Sequence, residues 1–354
     1  MQKESKLNIF EEKLARVLKA SQLAGLNQKI LVAYSGGADS AALLAGLLKI
    51  AKFAEFKLEI FACHLDHGLR EESADEQTQA REFALQGGLP AENYFTKRVD
   101  ISKISAERNL GTEAAARQVR YEFFADICAE IQCEKVATAH HANDQAETVL
   151  FRIFRGTGLT GLAGIPQSRD FADSTGRVIK IIRPLLDFTK QEILNYLENL
   201  GKSWVEDASN SENIYTRNYI RNVLLPAVRE NVANTADISL TKLAKQASGA
   251  NRYINRQARD LLEKSLALRT ARKAIIDISM FITGDSDTIR DEAILRTTAL
   301  RILLEEMNLP LRDLRLEHLI EIDNLAQFGL AGQAVNLPTG SKVRKTKSQL
   351  IITI

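Results

Sequence analysis

Apolar positions along the chain follow two alternating periods. Short runs with strand character at 30–34, 58–64, 93–97, 135–138 and 178–182 alternate with segments of helical spacing at 39–52, 71–87, 112–132, 142–155 and 188–200. This alternation predicts an α/β fold with a parallel sheet and helices on both faces, because neighbouring parallel strands need a long crossover that a helix supplies. From about 202 the pattern turns helical. Residues 236–269 predict one long amphipathic helix or two in succession, with Leu243, Ala247, Ile254, Ala258 and Leu261 on one side. Residues 335–354 read as short strands joined by tight turns. The turn formers of Asp207-Ala-Ser-Asn-Ser-Glu-Asn213 place a boundary near 214, giving a first domain over 1–214 and a mainly helical second domain over 215–354 with a strand-rich tail.

In open parallel sheets ligands gather beyond the carboxyl ends of the strands, and three polar clusters fall there. The first is the turn Ser35-Gly36-Gly37-Ala38-Asp39-Ser40 between a buried strand and a helix. Such a turn aims backbone N–H groups at a phosphate, while two serines add donors and Asp39 suits a Mg2+ ion. It is not the Walker loop, which needs a lysine after more widely spaced glycines. A serine-capped helix after a tight turn is the plainer explanation of the same residues. The second cluster is His64-Leu-Asp66-His67-Gly-Leu-Arg70. The third, His140-His141-Ala-Asn143-Asp144-Gln-Ala-Glu147, enters a helix and puts Asp144 and Glu147 on one face near its N-terminus. These acids suit Mg2+ or a substrate ammonium, and neither histidine cluster has a standard zinc spacing.

Other groups extend the pattern. Arg117 and Arg120 lie three apart on a predicted helix and can face one anion, and Arg217 and Arg221, one turn apart, suit phosphate contacts. The glycine-rich stretch 155–166 predicts a flexible, substrate-facing loop, and the single tryptophan, Trp204, reads as a core residue at the domain junction.

Composition narrows the setting. At 354 residues with 45% hydrophobic content the chain can bury a full core, and no apolar run is long enough to span a bilayer. The N-terminus lacks the basic start and apolar block of a signal peptide, and Cys63, Cys128 and Cys133 form no Cys-x-x-Cys pair. A cytoplasmic protein with structural cysteines and no membrane partner is expected. The net charge of +2 hides an asymmetry: 215–273 holds twelve Lys or Arg against four Asp or Glu. Lys242, Lys245, Arg252, Arg256 and Arg259 make a stripe on the predicted long helix, which fits a solvated face or a nucleic-acid face.

Ser35 to Ser40, His64 to Arg70, Ala115-Ala-Arg-Gln-Val-Arg-Tyr121, Ala137 to Thr148 running on to Arg155-Gly-Thr-Gly-Leu-Thr-Gly-Leu162, Arg183-Pro-Leu-Leu186 and Arg217-Asn-Tyr-Ile-Arg221 together resemble, in order, the tRNA(Ile)-lysidine synthetase family of the ATP pyrophosphatase (PP-loop) superfamily. The resemblance implies an enzyme that uses ATP and Mg2+ to adenylate C2 of the wobble cytidine in a CAU-anticodon tRNA(Ile). The amine of L-lysine then displaces AMP to give lysidine. By the same analogy Ser35, Gly36, Gly37, Ala38, Asp39 and Ser40 cradle the phosphates and Asp39 holds Mg2+. Asp144 and Glu147 meet the lysine ammonium, and Arg117 and Arg217 join them in catalysis. The chain resembles the short form of the family, without a further C-terminal tRNA-binding domain, and a homodimer is compatible with it. A cytidine 2-thiolase of the same superfamily is opposed by the spacing of Cys128 and Cys133, and an RNA-binding protein without catalysis by the intact Ser35, Asp39, Asp144 and Glu147.

Overall fold

A computed structural model of the chain describes residues 6–66, 73–173, 175–202, 204, 216–284, 286–309, 313–338 and 340–354. They divide into two compact units, Met1–Lys245 and Gln246–Ile354. The boundary expected near 214 lies outside the described residues.

The first unit is built on a six-stranded sheet of β1 (Lys29–Ala33), β2 (Glu59–Asp66), β3 (Tyr94–Arg98), β4 (Lys135–Ala137), β5 (Ser168–Ala172) and β6 (Val178–Ile182). Their spatial order is β3-β2-β1-β4-β6-β5. Every pairing is parallel except that of β5 with β6. The parallel sheet expected from the sequence is therefore mixed, with one antiparallel edge strand. A tight turn held by the Asp173 and Arg177 backbones returns the chain directly, so this pair needs no crossover.

Helices α1 (Ile9–Ala20), α2 (Ala38–Ile50), α3 (Ser73–Gln86), α4 (Ile101–Arg108), α5 (Thr112–Glu130), α6 (Ala142–Phe154), α7 (Leu159–Leu162) and α8 (Lys190–Asn199) complete its α/β part. One core joins Leu14, Leu18, Ile30, Val32, Leu44, Leu47 and Phe188. A second joins Leu31, Phe61, Tyr121, Phe124, Val136 and Ile181. Successive residues of β1, such as Ile30, Leu31 and Val32, alternate between these cores, as strand geometry requires of a sheet covered on both faces. All three cysteines are buried thiols in the second core.

The chain continues through α9 (Thr216–Tyr219), a π-helical turn (Ile220–Leu224), α10 (Leu225–Asn231) and α11 (Ala236–Ser265). The long helix expected to reach 269 stops at Ser265, and β7 (Leu266–Arg269) follows. Of its expected apolar side, Ala247 and Ala258 are buried, whereas Leu243 is exposed. Lys242, Lys245, Arg252, Arg256 and Arg259 are all exposed along α11.

In the second unit β7, β8 (Lys273–Asp277), β9 (Ala334–Asn336), β10 (Lys342–Lys345) and β11 (Gln349–Thr353) form an antiparallel sheet in the order β7-β8-β11-β10-β9. Helices α12 (Ile278–Phe281), α13 (Ser286–Asp291), α14 (Ala293–Glu306) and α15 (Leu316–Phe328) accompany it. Among the described residues, no helix is long and apolar enough to cross a membrane.

Inside this unit Arg296 is fully buried and donates to Asp323 at 2.7 and 3.1 Å, while Gln327 also donates to Asp323 at 2.8 Å. Removing one member of such a pair strands a buried charge, which costs far more than replacing both. Asp323→Ala is expected to destabilise this unit by about 3–5 kcal/mol, with Arg296→Met/Asp323→Leu recovering most of the loss. Urea unfolding followed by hydrogen exchange in α14 measures it; a loss below about 1 kcal/mol for Asp323→Ala would contradict the assignment.

Candidate active site

The turn Ser35–Ser40 connects β1 to α2 at the carboxyl edge of the sheet. Gly36 has φ 89°, a conformation that residues with a Cβ rarely adopt. Ser40 Oγ accepts from the Ser35 backbone at 3.1 Å and donates to the Gly37 carbonyl at 3.0 Å, which closes the turn on itself. The N-cap of α2 is Gly37, and no side chain caps the helix, so its first-turn N–H groups are left for an external anion. Tyr34, Gly36, Phe83, Lys202 and Trp204 line a cavity of about 210 Å³ beside the loop. Trp204 is partly buried against the first core.

Asp39, on the first turn of α2, faces a lysine ammonium and a histidine ring. Lys190 Nζ, from the first turn of α8, donates to Asp39 Oδ1 at 2.7 Å, and His141 Nε2 stands 3.6 Å from Oδ2. Burial opposes ionisation of Asp39, but the His141 imidazole and the Lys190 ammonium outweigh it and hold the carboxyl down at about 2.

His141 is the N-cap of α6. Its Nδ1 accepts from the Asn143 backbone at 3.2 Å, and Asp144 Oδ2 accepts from the His141 backbone at 3.0 Å, a reciprocal capping box. A ring that accepts at Nδ1 carries its proton on Nε2, which faces Asp39 and Asp144 at 3.6 Å each. Burial alone would lower its pKa, and the two carboxylates raise it. His140 behaves oppositely: burial, with the Arg183 and Arg217 charges, pushes it down to about 4 against the pull of Asp144, so it is neutral at pH 7. Asn143 ties this helix start to α8, since its Oδ1 accepts from the Lys190 backbone at 3.0 Å.

One turn into α6, Glu147 is only 2% exposed. Arg221 donates to it at 2.5 and 3.1 Å, Arg217 Nε donates at 3.3 Å, and Arg221 Nη2 also reaches Asp144 Oδ1 at 3.0 Å. Arg221 lies in the π-helical turn, a widened backbone that often accompanies functional positions. Ala146, Ile220 and Leu225 pack beneath these pairs, so apolar burial and ion pairing hold α6 to the segment 216–231 together. In this arrangement Arg217 and Arg221 contact carboxylates.

The structure thus brings Ser35–Ser40, Asp39, His141, Asp144, Glu147, Arg217 and Arg221 into one linked network. Arg117 belongs elsewhere, on α5 against Tyr121. His64 is buried, with Nδ1 3.2 Å from the Tyr34 carbonyl, and Asp66 faces Arg98 at 3.4 Å. His67 to Arg70, Asp207 to Asn213 and Tyr215 lie outside the described residues. The stretch 155–166, expected to be a free loop, instead contains α7 and is pinned to α6. Arg152 donates to the carbonyls of Gly161 and Gly164 at 3.0 and 2.8 Å, and a Cβ on Gly164 would meet Gln145 Oε1 at 2.4 Å.

Lys190 is the member that sequence reasoning missed. Its signal was the capping pattern Thr189-x-x-Glu192, which fixes a helix start after β6 and hence a residue at the ligand edge.

The family model of the PP-loop domain matches residues 7–228, so fold and loop define a PP-loop, ATP-utilising domain. The tRNA(Ile)-lysidine synthase of Clostridioides difficile strain 630 is 32% identical over 350 residues, covering 98% of this chain and 70% of that protein. That of Chlorobaculum tepidum is 34% identical over 258 residues, 73% of this chain and 74% of that protein. The chain belongs to the tRNA(Ile)-lysidine synthase family, whose members are enzymes of the ligase class. It spans 66% of the Clostridium perfringens strain 13 relative. A U34-tRNA thiolase from Methanococcus maripaludis, solved with its 4Fe-4S cluster, shares the fold at TM-score 0.53 and 17% identity, over 67% of this chain and 77% of that one.

The Lys190 contact carries an electrostatic consequence. The depressed Asp39 pKa stabilises the fold above the ordinary value of 3.8 and is lost as pH falls through about 2. Lys190→Ala removes the ammonium that, together with His141, depresses it. Carboxyl NMR titration of the ligand-free variant is expected to show Asp39 moving up toward 3.8; an unchanged titration would place the control elsewhere.

Proposed function

We propose that this chain joins L-lysine to C2 of the wobble cytidine of CAU-anticodon tRNA(Ile), consuming ATP and releasing pyrophosphate and AMP. The observation that carries the reading is the network just described, which ties a phosphate-binding turn to a pair of carboxylates through Asp39 and His141.

Ser35 to Ser40 supply the donors for the triphosphate, and the cavity beside Gly36 offers room for the nucleoside. Among the described residues no group of three His, Cys, Asp or Glu side chains could hold a metal by itself. A Mg2+ ion that takes one ionised carboxylate, with the rest of its shell from substrate phosphates and water, fits Asp39. Bound there, it would supply charge neutralisation on the phosphates. The cytidine C2 oxygen attacks the α-phosphorus and pyrophosphate leaves; the lysine amine then adds at C2 and AMP leaves with that oxygen.

A lysine ammonium is not a nucleophile until it loses a proton. Asp144 and Glu147 attract it. Asp144, whose side chain is 14% exposed against 2% for Glu147, is the one a substrate amine can reach, and we assign it proton acceptance. Glu147 fixes Arg217 and Arg221, which makes the pair a rigid, nearly neutral cluster. The region from 215 onward, with its exposed basic stripe, is assigned to tRNA contacts.

Purified protein given ATP, Mg2+, CAU-anticodon tRNA(Ile) and labelled lysine is expected to place label in the tRNA. Asp39→Asn should lower this turnover by roughly 10²–10³-fold while tRNA affinity is kept. Pyrophosphate release without lysine incorporation would overturn the assignment of the second substrate.

A further inference from the structure

The carboxyl end of β6 carries a cationic cluster that the network above does not use. Arg117 from α5, Arg169 from β5 and Arg183, the residue after β6, converge on Tyr121. The Arg169 and Arg117 guanidiniums sit 4.9 and 5.0 Å from the Tyr121 ring centroid, and Arg117 Nη2 donates to the Tyr121 hydroxyl at 3.5 Å. Arg183, 3% exposed, donates through Nη1 to the Pro166 carbonyl at 2.8 Å. The Nε groups of Arg169 and Arg183 are buried and make no hydrogen bond. Burial, together with the Arg169 and Arg117 charges, pulls the Arg183 pKa down to about 10, so the like charges act on one another.

Mutual repulsion among these guanidiniums costs free energy, and an oxyanion meeting the exposed Arg117 beside the half-buried Arg169 relieves it. The Ser35–Ser40 turn already suits the triphosphate of ATP. Free lysine has a carboxylate, but it is a net cation and would bring ammonium groups to three arginines that no acid pairs with among the described residues. A polyanionic strand meets no such penalty. Tyr121, held by two guanidiniums, contributes orientation. The cluster also lies within electrostatic reach of the α6 start, since the Arg183 charge acts on His140.

We propose that Arg117, Arg169 and Arg183 bind backbone phosphate of the single-stranded anticodon loop and so position the reacting cytidine; this rests on the reading of the chain as a tRNA-modifying enzyme. Arg169 and Arg183 are thereby positioning residues supplied by two neighbouring strand ends, at positions distant in sequence from Arg117.

The test measures binding of CAU-anticodon tRNA(Ile) to the full chain across a salt series, with KM values for tRNA, lysine and ATP. Arg117→Gln and Arg169→Gln carry it, because loss of the buried Arg183 threatens folding. Each is expected to weaken binding roughly tenfold at low salt and to lower the slope of log affinity against log salt by about 0.7, raising KM for tRNA alone. Arg108→Gln, whose arginine pairs with Glu122, serves as the control and should leave the slope unchanged. Wild-type slope and affinity in both cluster variants would overturn the proposal, as would a rise confined to the KM for lysine, which would assign the cluster to the amino-acid carboxylate. Wild-type protein that binds this tRNA normally but transfers no lysine would refute the proposed reaction and leave the phosphate site standing. Wild-type protein that does not bind the tRNA would refute both.

Discussion

A carboxylate buried to 2% exposure cannot stand alone, and Glu147 sets the constraint that the candidate site obeys. Taking such a group out of water costs several kcal/mol unless cations and hydrogen bonds compensate it. Its compensation comes from Arg217 and Arg221, some seventy residues along the chain, so the segment 216–231 must dock on α6 for α6 to be stable as it is. The apolar contacts of Ala146, Ile220 and Leu225 make that docking favourable in its own right. Once α6 is fixed, its N-cap His141 and its Asp144 are fixed beside Asp39, and the Ser35–Ser40 turn and the carboxylate pair become one object.

Donors and acids alternate through this object: the Lys190 ammonium, Asp39, the His141 ring, Asp144, Arg221, Glu147 and Arg217 follow one another. Each ligand of the proposed reaction carries charge and would exchange with one of these contacts. In the proposed reaction triphosphate would compete for Lys190 and the helix N-terminus, and a lysine ammonium would compete with Arg221 for Asp144. A network of near-balanced pairs lets such exchanges occur without leaving a buried charge bare. The arginine cluster at Tyr121 differs in that no ion pair to an acid balances it among the described residues, which is the basis for proposing a ligand there.

Much of this was legible in the sequence where one local period or motif decides the outcome. The five parallel strands and the helices after them follow apolar alternation, and the tight Ser35–Ser40 turn follows from its glycines and serines between a buried strand and a helix. What escaped depends on distant residues meeting. The edge strand Ser168–Ala172 is short and half polar, since only one neighbour pairs with it, so its pattern resembles a loop. Helix α11 ends at Ser265 because Leu266–Arg269 pairs with β8, a tertiary choice invisible in the amphipathic period. Arg169 is an ordinary charged residue in the sequence and acquires meaning only from the ends of β5 and β6 brought side by side, and Lys190, although its capping pattern was there to see, is tied to Asp39 only by the fold. Arg217 and Arg221 suggested phosphate contacts by spacing, yet the structure turns them to Asp144 and Glu147.

The most direct test of the central claim is a double-mutant cycle on lysine transfer, using Glu147→Gln, Arg221→Gln and the pair, with kcat/KM for lysine as the readout. If Glu147 acts by holding Arg221, the double variant should lose about as much as the more damaging single change, with a coupling of at least about 1.5 kcal/mol. Losses that simply add would mean that the two side chains act independently, and would contradict the account of a site organised around one buried carboxylate.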